Sequence, residues 1–159
     1  MIIWPAAIPG GGSGFRGGPR AYPGRVLTQR QVVDYALQRR ALLADVHSGR
    51  VGVAEVCDAS PYLLRAARFH GQAGEQQCPV CRRERLTQVS WIFGEALRQA
   101  SGSARKPEEL AALENSFDEF SVYVVEVCRS CSWNHLVQSY VLGKGGSPGR
   151  NQRRRTAAE

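Results

Sequence analysis

The sequence predicts an α+β chain: a small N-terminal helical unit, then a three-stranded antiparallel sheet with a helix inserted between its first two strands. Three observations carry that expectation. Apolar spacing and helix punctuation run through residues 26–71. Valine- and aromatic-rich segments recur as RLTQVSWIF, FSVYVVEVC and WNHLVQSYVLG, and two Cys-x-x-Cys pairs, CPVC at 78–81 and CRSC at 128–131, sit beside them.

At 159 residues and +7 formal charge the chain suits one domain, or a small domain beside a stapled module. Residues 1–25 read as a flexible arm, because Gly10, Gly11, Gly12, Gly14, Gly17, Gly18 and Gly24 bring no side chain to pack and cost entropy to order. Trp4 and Phe15 are isolated aromatics within it. The start MIIWPAAIPG has a brief apolar run with no basic residue before it, a poor secretory signal, and no stretch approaches the length of a membrane span. A cytoplasmic protein without a membrane partner is the expectation. Charge follows the same division: residues 28–143 hold 13 basic and 13 acidic side chains, so the excess belongs to the arm and to a flexible basic tail at 144–159, with Arg153, Arg154 and Arg155. A positive tail attracts any polyanion and equally serves solubility.

The helical unit spans 26–71. In TQRQVVDYALQRRALLADVHSG, Thr28 and Gln31 form a capping-box pattern, and Val32, Val33, Ala36, Leu37, Leu43 and Val46 trace an apolar face that Gly49 ends. A short helix near 53–57 follows. Another is expected near 61–70, with Asp58 or Ser60 as cap, Pro61 in its first turn and Gly71 as stop. The spacing loosely fits a helix-turn-helix, with Arg65 and Arg68 available to phosphate, but many helical packing units share it. Cys57 stands outside both pairs and reads as a small buried hydrophobe rather than a further metal ligand.

The second unit spans 76–143. A Cys-x-x-Cys turn directs two thiolates at one metal, and two such turns supply the closed tetrahedral set that zinc takes: Cys78, Cys81, Cys128 and Cys131. Arg82, Arg83 and Arg129 beside them can moderate the accumulated negative charge. Paired redox dithiols fit less well, since a strand rather than a helix follows Cys81, and disulfides suit a cytoplasmic chain poorly. Iron remains an open alternative. The three strand segments then read as a ribbon sheet, in which Val122, Val124 and Glu126 alternate with Tyr123, Val125 and Val127. Between the first two strands, Glu95–Gln99 makes a helical turn, SGSARK a loop, and Pro107 opens a helix with Glu108 and Glu109 at its positive end and Leu110, Leu113 and Phe117 along one side.

Nothing here points to catalysis. The histidines His47, His70 and His135 form no ligand motif with neighbouring carboxylates, and four thiolates leave no open position for a water. His135, four residues after Cys131, is placed to meet a metal-bound sulfur or an interface. No small-molecule substrate is expected.

In CPVCRRERLTQVSWIFGE and VYVVEVCRSCSWNHLVQSYVLG, together with CDASPYLLRAARFHG, the chain resembles an actinobacterial family, domain-of-unknown-function family 5318, from about Val26 through Gly143. The resemblance implies a small bacterial zinc-ribbon protein and brings no reaction or partner with it. Two function classes follow from the residues: a protein-interaction adaptor or regulator on a protein or nucleoprotein complex, or an RNA- or DNA-binding protein. The second would use Arg82, Arg83, Arg85 and Arg129 on the ribbon loops together with the basic tails, with stacking from Trp91, Trp133 or Tyr140.

Overall fold

The computed structural model describes residues 27–145. The arm expected at 1–25 lies outside the described residues, as does the basic tail beyond Gly145, including Arg153, Arg154 and Arg155. The described chain runs β1 (Arg30–Asp34), α1 (Ala36–His47), α2 (Val53–Val56), α3 (Pro61–His70), β2 (Gln72–Gln77), β3 (Arg85–Phe93), a 3-10 segment (Glu95–Ala100), β4 (Ser103–Arg105), α4 (Pro107–Glu114), β5 (Phe120–Val127) and β6 (Asn134–Leu142).

The α+β class holds, but the sheet has six strands rather than three. Its order is β1-β6-β5-β3-β2, with β4 also on β3 and every pair antiparallel. β2 and β4 share one edge of β3: β2 pairs along Arg85–Gln88, and β4 along Ser90–Ile92.

The first expected helix begins late. Thr28 does not cap it; its N–H donates to Glu114 Oε1 at 2.8 Å, and Gln31 adopts a positive φ of 50°, which a right-handed helical turn excludes. β-Branched Val32 and Val33 instead join the sheet edge beside β6, where they pack on little and stay exposed. Asp34 Oδ1 accepts from Ala36 N–H at 2.6 Å as α1 opens. Leu37 was expected on the apolar face and is 73% exposed; Leu42, Leu43 and Val46 are the α1 residues that pack inward. Segment 26–71 is therefore not wholly helical, and its first strand belongs to the same sheet as the cysteine-bearing half.

The later helices follow their punctuation. Ser60 Oγ accepts from Leu63 N–H at 3.2 Å, Pro61 opens α3, and Gly71 closes it. A side chain at Gly71 would put its Cβ 2.2 Å from the Ala67 carbonyl oxygen and 2.3 Å from Thr87, so the turn from α3 onto the sheet requires glycine. In α4, Pro107 is again in the first turn, and Glu109 returns to accept from Lys106 N–H at 2.8 Å. That bond holds the Glu109 carboxyl below its ordinary pKa.

Strand alternation gives the sheet two apolar faces. Phe120, Val122 and Val124 of β5 join Ile92, Tyr140 and Leu142 beneath Leu97 and Leu110 from the insertion. Tyr123, Val125 and Val127, pointing the other way, meet Val89 and Trp91 beneath Ala66, Ala67, Leu63 and Leu64 of α3. The insertion and α3 thus cover opposite faces, and β5 is buried between them.

Candidate metal centre

Antiparallel pairing of β3 with β5 explains how the two cysteine pairs meet. Thr87 pairs with Val127, so the turn entering β3 and the turn leaving β5 emerge side by side at one end of the sheet. The whole insertion, residues 94–119, is looped out at the other end.

The two turns share one backbone design. Cys78 O accepts from Arg82 N–H at 3.1 Å, and Cys128 O from Ser132 N–H at 2.9 Å; Arg82 and Ser132 both take positive φ, 54° and 65°. Each leading cysteine also donates its N–H back to the returning strand, Cys78 to Glu84 O and Cys128 to Trp133 O. Non-glycine residues held at positive φ are costly by about 1–3 kcal/mol and persist where their surroundings fix them. Here the turn must aim two sulfurs at one point.

The four sulfurs converge. All lie within 4.8 Å of one another, and Cys78–Cys131 and Cys81–Cys128 are each 3.6 Å apart. A tetrahedron with metal–sulfur bonds of about 2.3 Å has edges of about 3.8 Å, whereas a disulfide would need about 2.05 Å. The spacing therefore suits a shared metal ion and not a bridge. Cys78 and Cys128 are buried, and Cys81 and Cys131 are partly so.

Electrostatics lead to the same arrangement. The Arg83 N–H brings the Cys81 thiol down to about 7, whereas burial pushes Cys131 up to about 12 and Cys128 higher still. One thiol ionises readily near neutral pH. The buried ones need a cation among them before they can do the same.

Two carboxylates support the site, and neither was singled out from the sequence. Glu84 Oε1 accepts from Ser130 N–H at 2.9 Å and stands 3.4 Å from Cys128 Sγ, tying the first turn to the second. Burial opposes its charge, but the hydrogen bonds from Ser130, Cys128 and the Arg129 backbone together outweigh it, and its pKa falls. Glu126 is 4% exposed; its Oε1 accepts from Arg39 Nε at 2.6 Å and from Trp133 Nε1 at 2.9 Å, so α1 is pinned to the sheet directly behind the cysteines. The available signal was a glutamate between two valines in an otherwise apolar strand. Around these groups Val56, Leu86 and Trp133 close an apolar wall with Leu42, Leu43 and Val46.

Cys57, at the end of α2, belongs to that wall close to Cys131; burial pushes its thiol up. Trp133 was a candidate interaction residue and is 0% exposed, so it has no surface to offer; Trp91 and Tyr140 are buried too. The His135 ring stacks on Trp133 at 6.1 Å, and among the described residues no hydrogen bond joins it to a sulfur. Burial lowers its pKa, which favours the neutral ring. Arg82, Arg83 and Arg85 are exposed on the first turn and its strand. Arg129, exposed on the second turn, lines a groove with Arg65 and Arg68 of α3.

The family model described as a family of unknown function (DUF5318) matches residues 26–157. Uncharacterized proteins of Mycobacterium tuberculosis (Rv0049) and Mycobacterium bovis (Mb0050) are each 67% identical over 111 residues, covering 70% of this chain and 81% of the relative. No solved structure matches the chain.

Proposed function

The chain belongs to the DUF5318 family, and from that premise we propose that it is a non-catalytic zinc-binding adaptor or regulator that acts through contacts with a protein or nucleoprotein complex, on the transcription or translation machinery of the cytoplasm. The observation that carries this reading is the donor set: Cys78, Cys81, Cys128 and Cys131 at tetrahedral spacing, with sulfur at all four corners. Four thiolates complete the coordination of zinc and leave no position for an activated water or a substrate. The ion then acts as a staple, holding two turns of the sheet together and seating α1 and α2 upon them.

Elemental analysis of protein purified without added metal tests the staple, with one zinc per chain expected. A metal-free but cooperatively folded chain overturns it, and iron in place of zinc would make the site an electron carrier instead. Affinity purification from an actinobacterial cell, with a parallel nuclease-treated sample, tests the adaptor. A protein partner retained after nuclease is the expected result.

Direct RNA or DNA binding is a second reading. It is favoured by one observation, the groove where Arg129 stands beside Arg65 and Arg68.

A further inference from the structure

The outer stripe of α3 holds Tyr62, Arg65 and Phe69 at helical spacing, while Ala66 and Ala67 face the sheet. Tyr62 and Phe69 are 63% and 61% exposed, the exposed aromatic rings among the described residues. Two hollows flank this stripe and share Arg65 and Phe69. One, of about 250 Å³, lies over Trp91; the other, of about 490 Å³, runs past Arg68 to Arg129 on the second cysteine turn.

The electrostatics of this track are one-sided. Among the described residues no acidic side chain lines either hollow. Arg65, Arg68 and Arg129 make no ion pair among the described residues, although the body as a whole is neutral. The aromatics are positioned rather than loose: Tyr62 rests on Trp91 with ring centroids 5.4 Å apart, and the Arg68 guanidinium lies 5.7 Å over the Phe69 ring.

We propose that this groove, from Tyr62 along α3 to Arg129, binds a single-stranded nucleic acid, with the three arginines on successive phosphates and Phe69 and Tyr62 stacking on bases. This deepens the second reading above and rests on it. Three unpaired cations without an acid among them fit a repeating anion, and exposed rings between them fit unstacked bases, which a duplex does not offer. Tyr62 and Phe69 are seven residues apart on one helix, about 10 Å along its axis, so each ring addresses a different base. An acidic peptide would satisfy the arginines but leave the rings without planar partners.

The test uses the full chain and short, mixed-sequence, fluorescein-labelled single-stranded RNA and DNA, the matching duplexes and a polyglutamate peptide, each across a salt series. Single strands are expected to bind tightest. Combined Arg65→Ala, Arg68→Ala and Arg129→Ala substitution is expected to weaken single-strand binding at least about tenfold and flatten the log–log salt slope by about 2, from three lost contacts at about 0.7 each. Arg153→Ala, Arg154→Ala and Arg155→Ala together remove the same charge and are expected to weaken it less. Phe69→Ala is expected to cost about fivefold or more with the slope unchanged, and Phe69→Tyr to retain affinity because it keeps the ring.

Equal losses from the groove and tail variants overturn the assignment, as does preference for duplex or polyglutamate, or a Phe69→Ala variant that binds normally. The side chains of Arg65, Arg68, Phe69 and Arg129 are exposed, so zinc content should stay unchanged when they are substituted. Absence of nucleic-acid binding by a zinc-loaded chain that still captures a protein partner sinks the groove and spares the adaptor. A chain whose cysteine turns stay ordered without zinc sinks the staple whatever the oligonucleotides do.

Discussion

The two ends of the sheet are held together by different means. At the insertion end, Phe120, Val122, Ile92 and Leu142 lie under Leu97 and Leu110, a hydrocarbon contact shared among many side chains. At the cysteine end, β3 and β5 diverge into two turns whose contents are four sulfurs, Glu84, Glu126 and an indole. Apolar burial stabilises the first end in any state of the protein. The second gathers buried thiols that repel one another's ionised forms, and on the reading proposed above its stability is conditional on a cation. The contrast shows how a small sheet can carry a conditional end without losing its fold: β5 crosses from one regime to the other, and its central valines belong to both cores.

The largest effect should come from removing the metal. Chelation, or Cys78→Ser, Cys81→Ser, Cys128→Ser or Cys131→Ser, is expected to cost about 5 kcal/mol or more, since binding energy at a staple is folding energy. Hydrogen exchange resolves where. Amides of Cys78, Arg82, Cys128 and Ser132, which close the turns, should lose protection first, while Gly102 and Phe117 at the insertion end keep theirs. Uniform loss across the chain would erase the distinction between the ends. Acid should act in the same direction as chelation: protons compete for the sulfurs, so metal affinity falls as pH falls, and Cys131, pushed up to about 12, must release its proton when metal enters.

Next in size is the converse perturbation. Leu110→Ala, at a fully buried position over the insertion end, should cost about 2–5 kcal/mol in chemical denaturation and leave zinc stoichiometry unchanged. A variant that loses zinc with its leucine would mean the two ends are one cooperative structure.

Glu126→Gln acts at the join. The amide oxygen can still accept from Trp133 Nε1, but it no longer presents a charge to Arg39. The expected cost is about 1–3 kcal/mol, with zinc retained and the α1 amides exchanging faster than those of β5. Unchanged exchange in α1 would show that Leu42, Leu43 and Val46 seat the helix without the ion pair.

The same contrast governs what the sequence made legible. The cysteine end announced itself because metal-binding turns need fixed residues at fixed spacing, and α3 and α4 because Ser60, Pro61 and Pro107 are local signals acting on local backbone. The three long strands were readable from Val, Trp, Tyr and Phe. β1, β2 and β4 were not. β2 reads QAGEQQ and β4 reads SAR; both are edge pieces defined by backbone bonds to β3, which leave no apolar alternation behind. β1 was misread because Val32 and Val33 fall in phase with the helix that follows, and the information placing them on β6 lies over a hundred residues away at Gln138 and Ser139. Arg129 joining Arg65 and Arg68 is likewise a product of tertiary pairing, since Ala59 N–H donates to Ser132 O and so draws the start of α3 to the second turn.

The smallest expected effect asks how many sulfurs the cysteine end uses. Cys57 sits in the apolar wall close to Cys131, yet it comes from the end of α2 rather than from either turn. The four converging sulfurs already span the tetrahedral edges, so a fifth thiol has no corner to occupy. Its burial also favours the neutral thiol over the thiolate a metal would take. Cys57→Ala should therefore keep one zinc per chain and cost about 0.5–1 kcal/mol of lost apolar contact. Metal analysis and a denaturation curve read the two quantities separately. A drop in zinc content without loss of fold would place Cys57 inside the set, and the conditional end of the sheet would then reach through α2 into the helical half of the chain.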